Sequence, residues 1–202
     1  MALLAALCAI GLVVLAVLVD HAPLPIDERI RDILHVGGPV PPVLDALNTI
    51  GVPAIWDVGV VVLVVALWLV RRRFEAAGIA IGLLVGEALA ISIKLIVDRP
   101  RPPGVGVADI LTQASFPSGH VTRAAVTAVL IVVFWPGGRW SRILAAVLAI
   151  LLAALMGLAR IVAGEHWPTD VLGAYLVTGV VGGCAAWAVA RFRGSAPPQV
   201  VR

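Results

Sequence analysis

Near the end of this 202-residue chain, two long apolar runs are joined by a short polar stretch running from Arg160 through His166 to Asp170. Pro168 is favoured in the first turn of a helix, so a helix start is predicted near Trp167 and Pro168, with His166 at its mouth. Asp170 then lies one turn further in, on the same side. A carboxylate at that spacing can hold one imidazole nitrogen as N–H, which leaves the other unprotonated and aimed outward as a nucleophile or base. Arg160, at the end of the preceding helix, reaches the same mouth. A histidine oriented by an aspartate beside a permanent positive charge suits chemistry on an anion, above all a phosphate. Such a pair also serves as a helix cap, and this stretch alone does not separate the two uses.

Two further stretches point the same way. Lys94 lies near the end of an apolar run and is followed by Asp98, Arg99, Pro100, Arg101, Pro102 and Pro103, a loop stiffened by its prolines. Lys94 and Arg101 taken singly would read as cations reaching toward lipid headgroups. Phe116, Pro117, Ser118, Gly119 and His120 then open another apolar run, with Ser118 as the expected N-cap and Gly119 letting the backbone approach a ligand. The N–H groups of that helix start form a cradle for phosphate, and His120 sits in its first turn.

These groups need elements to carry them, and composition says which. The chain is 61% hydrophobic and only 13% charged, against roughly 25% charged in soluble domains. Mean hydropathy is +1.06. Several apolar runs approach the roughly 20 residues that span a bilayer, so an all-α integral membrane bundle is expected, as a single domain over residues 1–202. The net charge of +3 does not indicate nucleic acid, because the basic residues sit at helix ends. Cys8 and Cys184 fall inside apolar runs and read as small hydrophobes, not as a disulfide or metal site.

Six transmembrane helices are predicted, at about 2–19, 53–70, 74–97, 119–135, 143–163 and 168–190. Residues 20–52 read as a surface connection with short amphipathic helices around 27–35 and 42–50. Arg71, Arg72 and Arg73 form the densest basic cluster, and Arg139, Arg142, Arg191 and Arg193 fall on the same side, so both termini are placed in the cytoplasm. The polar stretches then face outward. Trp56 and Trp167 at outer helix ends, with Trp68, Trp135, Trp140 and Trp187 near inner ones, fit an aromatic belt. Gly78, Gly82 and Gly86, and again Gly179 and Gly183, recur at four-residue spacing and predict close helix packing.

Taken together, Lys94 with Arg101-Pro102, then Pro117-Ser118-Gly119-His120, then Arg160, His166 and Asp170 resemble the three signature motifs of the type 2 phosphatidic acid phosphatase family, in order and on one predicted membrane face. The match spans residues 94–170. One departure is Ala159, where the family usually has a serine before the arginine of its third motif. The resemblance implies that His166 attacks phosphorus, that Asp170 orients it, and that His120 protonates the leaving oxygen and then activates water. Lys94, Arg101, Ser118, Gly119 and Arg160 would bind the phosphoryl oxygens. No cofactor and no metal are expected, cations and N–H donors stabilising the transferring group instead.

The substrate this implies is a membrane lipid phosphate or diphosphate at the outer face of the cell membrane. A polyprenyl diphosphate ranks first, and phosphatidylglycerophosphate or phosphatidate second. A non-catalytic lipid-phosphate transporter or binding protein would use the same cations without needing two histidines. Glu87, seven residues before Lys94 and on roughly its face, is expected to pair with a buried polar partner below the site. Arg123, one turn after His120, reads either as a contact to a second phosphate or as an interfacial cation. His21 and His35 read as surface residues.

Overall fold

The computed structural model describes residues 1–20, 22–34, 39–105 and 113–194, and among these every regular element is helical. Eight helices are seen: α1 Ala2–Leu18, α2 Pro25–Leu34, α3 Pro42–Ile50, α4 Pro53–Leu69, α5 Arg73–Val97, α6 Gly119–Val133, α7 Arg139–Val162 and α8 Pro168–Gly194. Three of them, α5, α7 and α8, are long and apolar enough to cross a membrane. A fourth span results if α3 and α4, bent by 67° at their junction, are taken as one. The apolar helices α1 and α6, of 17 and 15 residues, are shorter than a full span. At 1.5 Å per residue α6 reaches only about 22 Å. The reason lies at its start: Ser118 has no exposed surface, so α6 begins inside the bundle and not at its rim.

Sequence and structure differ elsewhere too. α7 begins at Arg139, four residues ahead of the predicted start, so the cations Arg139 and Arg142 ride on its first turn instead of in a loop. Both short helices predicted in the connection are present as α2 and α3, but they are not surface appendages: each sends a side chain into the site described below. Trp68, Trp140 and Trp187 are exposed at helix ends far from the site, as a belt requires. Trp167 is not a belt residue. It is 4% exposed, and its indole N–H donates to Pro100 O at 3.0 Å while Arg31 and Arg99 lie over its ring at 5.6 and 5.7 Å. His21 and His35 lie outside the described residues.

Helix packing is set by small residues. A Cβ on Gly78 would lie 2.1 Å from Phe134, on Gly82 2.7 Å from Leu130, and on Gly86 3.3 Å from Val126. The glycine row of α5 thus receives a four-residue row of large side chains from α6, the two helices running antiparallel. α8 meets α1 in the same manner, Gly179 against Cys8 and Gly183 against Ala5, also antiparallel. Met1 and Gly194 therefore lie at one end of the bundle, and the site lies at the other. Cys8 and Cys184 are free thiols. The outward faces carry Leu7, Ile10, Val14, Val61, Val62, Val65, Ile81, Leu84, Leu148 and Leu151, all exposed. That continuous apolar coat belongs against lipid, and the chain is a multi-pass membrane protein.

Glycines inside and outside these contacts predict different responses to an added methyl. At Gly183 the neighbours are Ala5 backbone and Cβ atoms at 2.9–3.2 Å, with no flexible side chain to yield. Gly183→Ala should lower stability by about 1–3 kcal/mol as α1 is pushed from α8. Gly59→Ala, with open space around it, should cost nothing. Thermal unfolding in detergent micelles measures both.

Candidate active site

α5 ends at Asp98, which adopts the left-handed conformation (φ 41°, ψ 41°), tolerated by an aspartate better than by most residues. That reversal sends Arg99 into the protein and brings Arg101 over the start of α8. At the other side, Gly164 (φ 72°) makes the tight turn from α7 into α8. His166 is held between these turns and is 1% exposed.

Asp170 does two jobs at the head of α8. Its Oδ2 accepts the Trp167 backbone N–H at 2.9 Å, the return half of a capping box. The same oxygen lies 3.3 Å from His166 Nδ1. Arg101 Nη1 lies 3.3 Å from His166 Nε2 and also donates to Glu165 O at 3.0 Å. Because a guanidinium can only donate, Nε2 is the accepting nitrogen and Nδ1 carries the proton toward Asp170. The ring also has a backbone hydrogen bond to Ser115, and the Arg101 and Asp170 contacts favour the tautomer whose lone pair is on Nε2 and faces Arg101.

Burial, together with the positive charge of Arg101, Arg160 and Lys94, holds the His166 imidazole well below its ordinary pKa. It is neutral, as a nucleophile must be. Around it, Lys94 Nζ donates to Ala114 O at 2.8 Å and Ser115 O at 3.4 Å. Arg160 pairs with the Glu165 carboxylate and donates to Asn48 Oδ1 of α3 at 3.2 Å. Its Nε is buried without a hydrogen-bond partner.

The first turn of α6 is joined to α8 by Ser118 N–H donating to Asp170 O at 3.1 Å. This brings His120 to the same end as His166, within electrostatic reach of His166, Arg160, Arg101 and Arg123. On its other side His120 lies against the α3–α4 junction, where a Cβ on Gly51 would come 2.7 Å from its ring. Lys94, Arg101, Ser118, Gly119, His120, Arg160, His166 and Asp170 thus share one end of the bundle. Ser118 occupies the N-cap position but does not cap: its Oγ makes no bond to the helix and is buried without a partner. An orphaned hydroxyl and an orphaned guanidine N–H beside a neutral imidazole fit a ligand rich in acceptor oxygens. Ala159 is fully buried and adds no polar atom.

Arg123 is paired with acids on α5 and α4. It donates to Glu87 Oε2 at 2.7 Å and lies 3.9 Å from Asp57, so Glu87 has a polar partner, as an acid within a membrane helix needs, but a half-buried one and not the buried one expected. Four residues escaped sequence reasoning: Arg99, Asp27, Thr169 and Asn48. Arg99, Asp27 and Thr169 form a buried cluster against Asp170, with Arg99 Nη1 2.6 Å from Asp170 Oδ1 and Nη2 2.6 Å from Asp27 Oδ2. Asp27 was visible only as one of five charges in an amphipathic helix, and Arg99 as the neighbour of Arg101. Asn48 carried no signal.

A model of the PAP2 superfamily matches residues 75–194, well over half of the chain. The chain belongs to the PAP2 superfamily. Among curated proteins it is similar to the decaprenylphosphoryl-5-phosphoribose phosphatase of Mycobacterium tuberculosis, 38% identical over 52% of this chain and 56% of that protein. It is also similar to the undecaprenyl-diphosphatase of Sulfolobus acidocaldarius, 29% identical over 56% of each. The chain therefore aligns with only about half the length of these relatives. Among solved structures, a PAP2-type phosphatidylglycerolphosphate phosphatase from Bacillus subtilis superposes with a TM-score of 0.75 over 96% of this chain and 98% of that one, at 20% identity. That likeness establishes the shared fold of this PAP2 chain.

The neutral His166 has a consequence for stability. Unfolding returns it to an ordinary value near 6.5, so below that pH the unfolded chain binds a proton the folded one refuses. Its contribution is complete above about pH 6.5 and is lost as the pH falls toward the depressed folded value. The unfolding temperature should drop from pH 6.5 to 5, and less steeply in His166→Asn.

Proposed function

We propose that this PAP2 protein hydrolyses the phosphate from a membrane lipid phosphate or diphosphate through a phosphohistidine at His166. The observation that carries the reading is the bond pattern of His166, with Nδ1–H on Asp170 and the Nε2 lone pair turned toward Arg101. In the first half-reaction Nε2 attacks phosphorus, the bond to the leaving oxygen breaks, and His120 gives that oxygen a proton. In the second, His120 takes a proton from water, whose oxygen attacks phosphorus and releases inorganic phosphate and neutral His166. Lys94, Arg101, Arg160 and the N–H groups at the start of α6 meet the charge on the equatorial oxygens, with Ser118 Oγ adding a hydrogen bond. The cationic set supplies the neutralisation that a metal provides elsewhere, so the reaction is written without one.

Polyprenyl diphosphate ranks first as substrate, because both sequence relatives described above are named for polyprenyl lipids. Phosphatidylglycerophosphate, named in the structural neighbour, and phosphatidate come second. On this reading all six long helices cross the membrane, α1 and α6 incompletely. Both ends of the chain lie in the cytoplasm with Arg71–Arg73, and the site opens at the outer face of the plasma membrane. A lipid can then enter sideways while its headgroup stays wet.

Phosphate release by purified protein in EDTA, with the three lipids offered separately in micelles, tests the assignment. Release is expected with at least one of them. Binding without release would make this a lipid-phosphate carrier, for which the cations alone suffice. His166→Ala should abolish turnover, and near-normal activity there removes the nucleophile assignment. His120→Ala should lose on the order of 10² to 10⁴ in kcat and the alkaline limb of the pH profile, as removal of a general acid does.

A further inference from the structure

Asp170 orients His166, but its own orientation is set by residues outside the three motifs. Its Oδ1 is taken by Arg99 Nη1 at 2.6 Å, which leaves Oδ2 for His166 and for the Trp167 N–H. Arg99 has no exposed surface. Besides Asp170 it donates to Thr169 Oγ1 at 2.8 Å, Asp27 Oδ2 at 2.6 Å and Ala22 O at 3.3 Å. Asp27, also fully buried, accepts the N–H groups of Leu24 at 3.0 Å and Thr169 at 2.9 Å and the Thr169 hydroxyl at 2.8 Å. Two carboxylates thus share one guanidinium, and the cluster keeps a net charge of about −1 facing the imidazole.

We propose that Arg99 and Asp27 are positioning residues for the nucleophile: a carboxylate on α2 acts through Arg99 to fix the rotation and the charge of Asp170. The inference rests on the assignment of His166 as nucleophile. Arg99 on its own would draw the negative charge of Asp170 away from His166. Asp27, on the far side of the guanidinium, offsets that pull and leaves Asp170 able to support the positive charge that develops on the imidazole during attack. α2, which the sequence presents as part of a surface connection, is thereby a working part of the site.

The groups facing His166 are Asp170 on α8, Arg101 in the loop after α5, Lys94 on α5, His120 on α6, Arg160 on α7 and Glu165 in the turn. Asp27→Asn leaves all of these in place and removes one buried negative charge behind Arg99. The kcat/KM profile of the full-length variant in micelles, with the lipid phosphate that the wild type hydrolyses, is expected to show its acid limb at lower pH. kcat should fall about 10- to 100-fold, with KM within about twofold. Asp27→Glu, which keeps the charge, should return the limb to its wild-type position. An unmoved limb and normal kcat in Asp27→Asn, with only a lower unfolding temperature, would overturn the proposal and leave the cluster a purely structural one. If Asp27→Asn does not fold, Arg99→Lys keeps every charge but lacks the two nitrogens that bridge Asp27 and Asp170, and an unchanged kcat there overturns the proposal. An alkaline quench of wild-type turnover that traps no phosphate on His166 sinks the nucleophile assignment itself, a failure distinct from either of these.

Discussion

A guanidinium with no access to water governs this structure. Arg99 sits between Asp27 and Asp170, and leaving any one of these charges unpaired in the interior would cost about 3–5 kcal/mol. Three segments far apart in the chain must therefore arrive together: α2, the loop after α5, and the head of α8. The N-terminal N–H groups of α8 are met by the same carboxylates, Trp167 by Asp170 and Thr169 by Asp27. Folding of this end of the bundle and orientation of His166 are consequently one event. A chain that closes here has already set the imidazole tautomer.

The rest of the bundle serves that convergence under a constraint of its own. Lipid tails supply no hydrophobic drive between helices, so α5 and α6, and α1 and α8, are brought close by glycine rows that admit large side chains or bare backbone. The close approach of α5 to α6 brings Lys94 to the end of the bundle where α6 begins. The early start of α6, with Ser118 fully buried, sinks the N–H groups of its first turn below the rim. Shortness in α6 is thus a consequence of where the site is. One and two turns below, Arg123 and Glu87 form a half-buried ion pair beneath the cationic site.

Much of this was legible in the sequence because it follows local rules. Pro168 announces the start of α8, four-residue spacing places Asp170 under His166, and glycine periodicity shows which faces pack. Long apolar runs give the helices, within a few residues. Partners separated by dozens of residues were not legible. Nothing local distinguishes Asp27 from Glu28 or Asp32, yet Asp27 is buried by a contact 142 residues away while the other two stay outside that cluster. Arg99 and Arg101 share a proline-flanked setting and differ only in the direction each takes after the left-handed turn at Asp98. Trp167 looked interfacial by its place at a helix end, but the loop from α5 folds over it. Ser118 was the more instructive miss. Its N-cap position is right, but its hydroxyl makes no bond to the helix and keeps its hydrogen-bonding capacity unspent.

The three motif cations are not idle. Lys94 holds loop carbonyls, Arg101 holds Glu165 O and His166 Nε2, and Arg160 holds the Glu165 carboxylate and Asn48. On the phosphatase reading, a phosphoryl group does not fill an empty positive nest but takes over acceptors' places already occupied. Glu165, next in sequence to His166 and 37% exposed in its side chain, occupies a place on Arg160 that a phosphoryl oxygen would need. Exchange of one anion for another lowers the net gain of binding, and it does so equally for substrate and for product phosphate. Since only interactions stronger in the transition state than in the ground state accelerate the chemistry, a site that binds every phosphate with its full cationic strength would gain affinity and lose turnover. A resident carboxylate that returns to Arg160 when phosphorus has been transferred to water keeps the cations satisfied between cycles and favours release of the product.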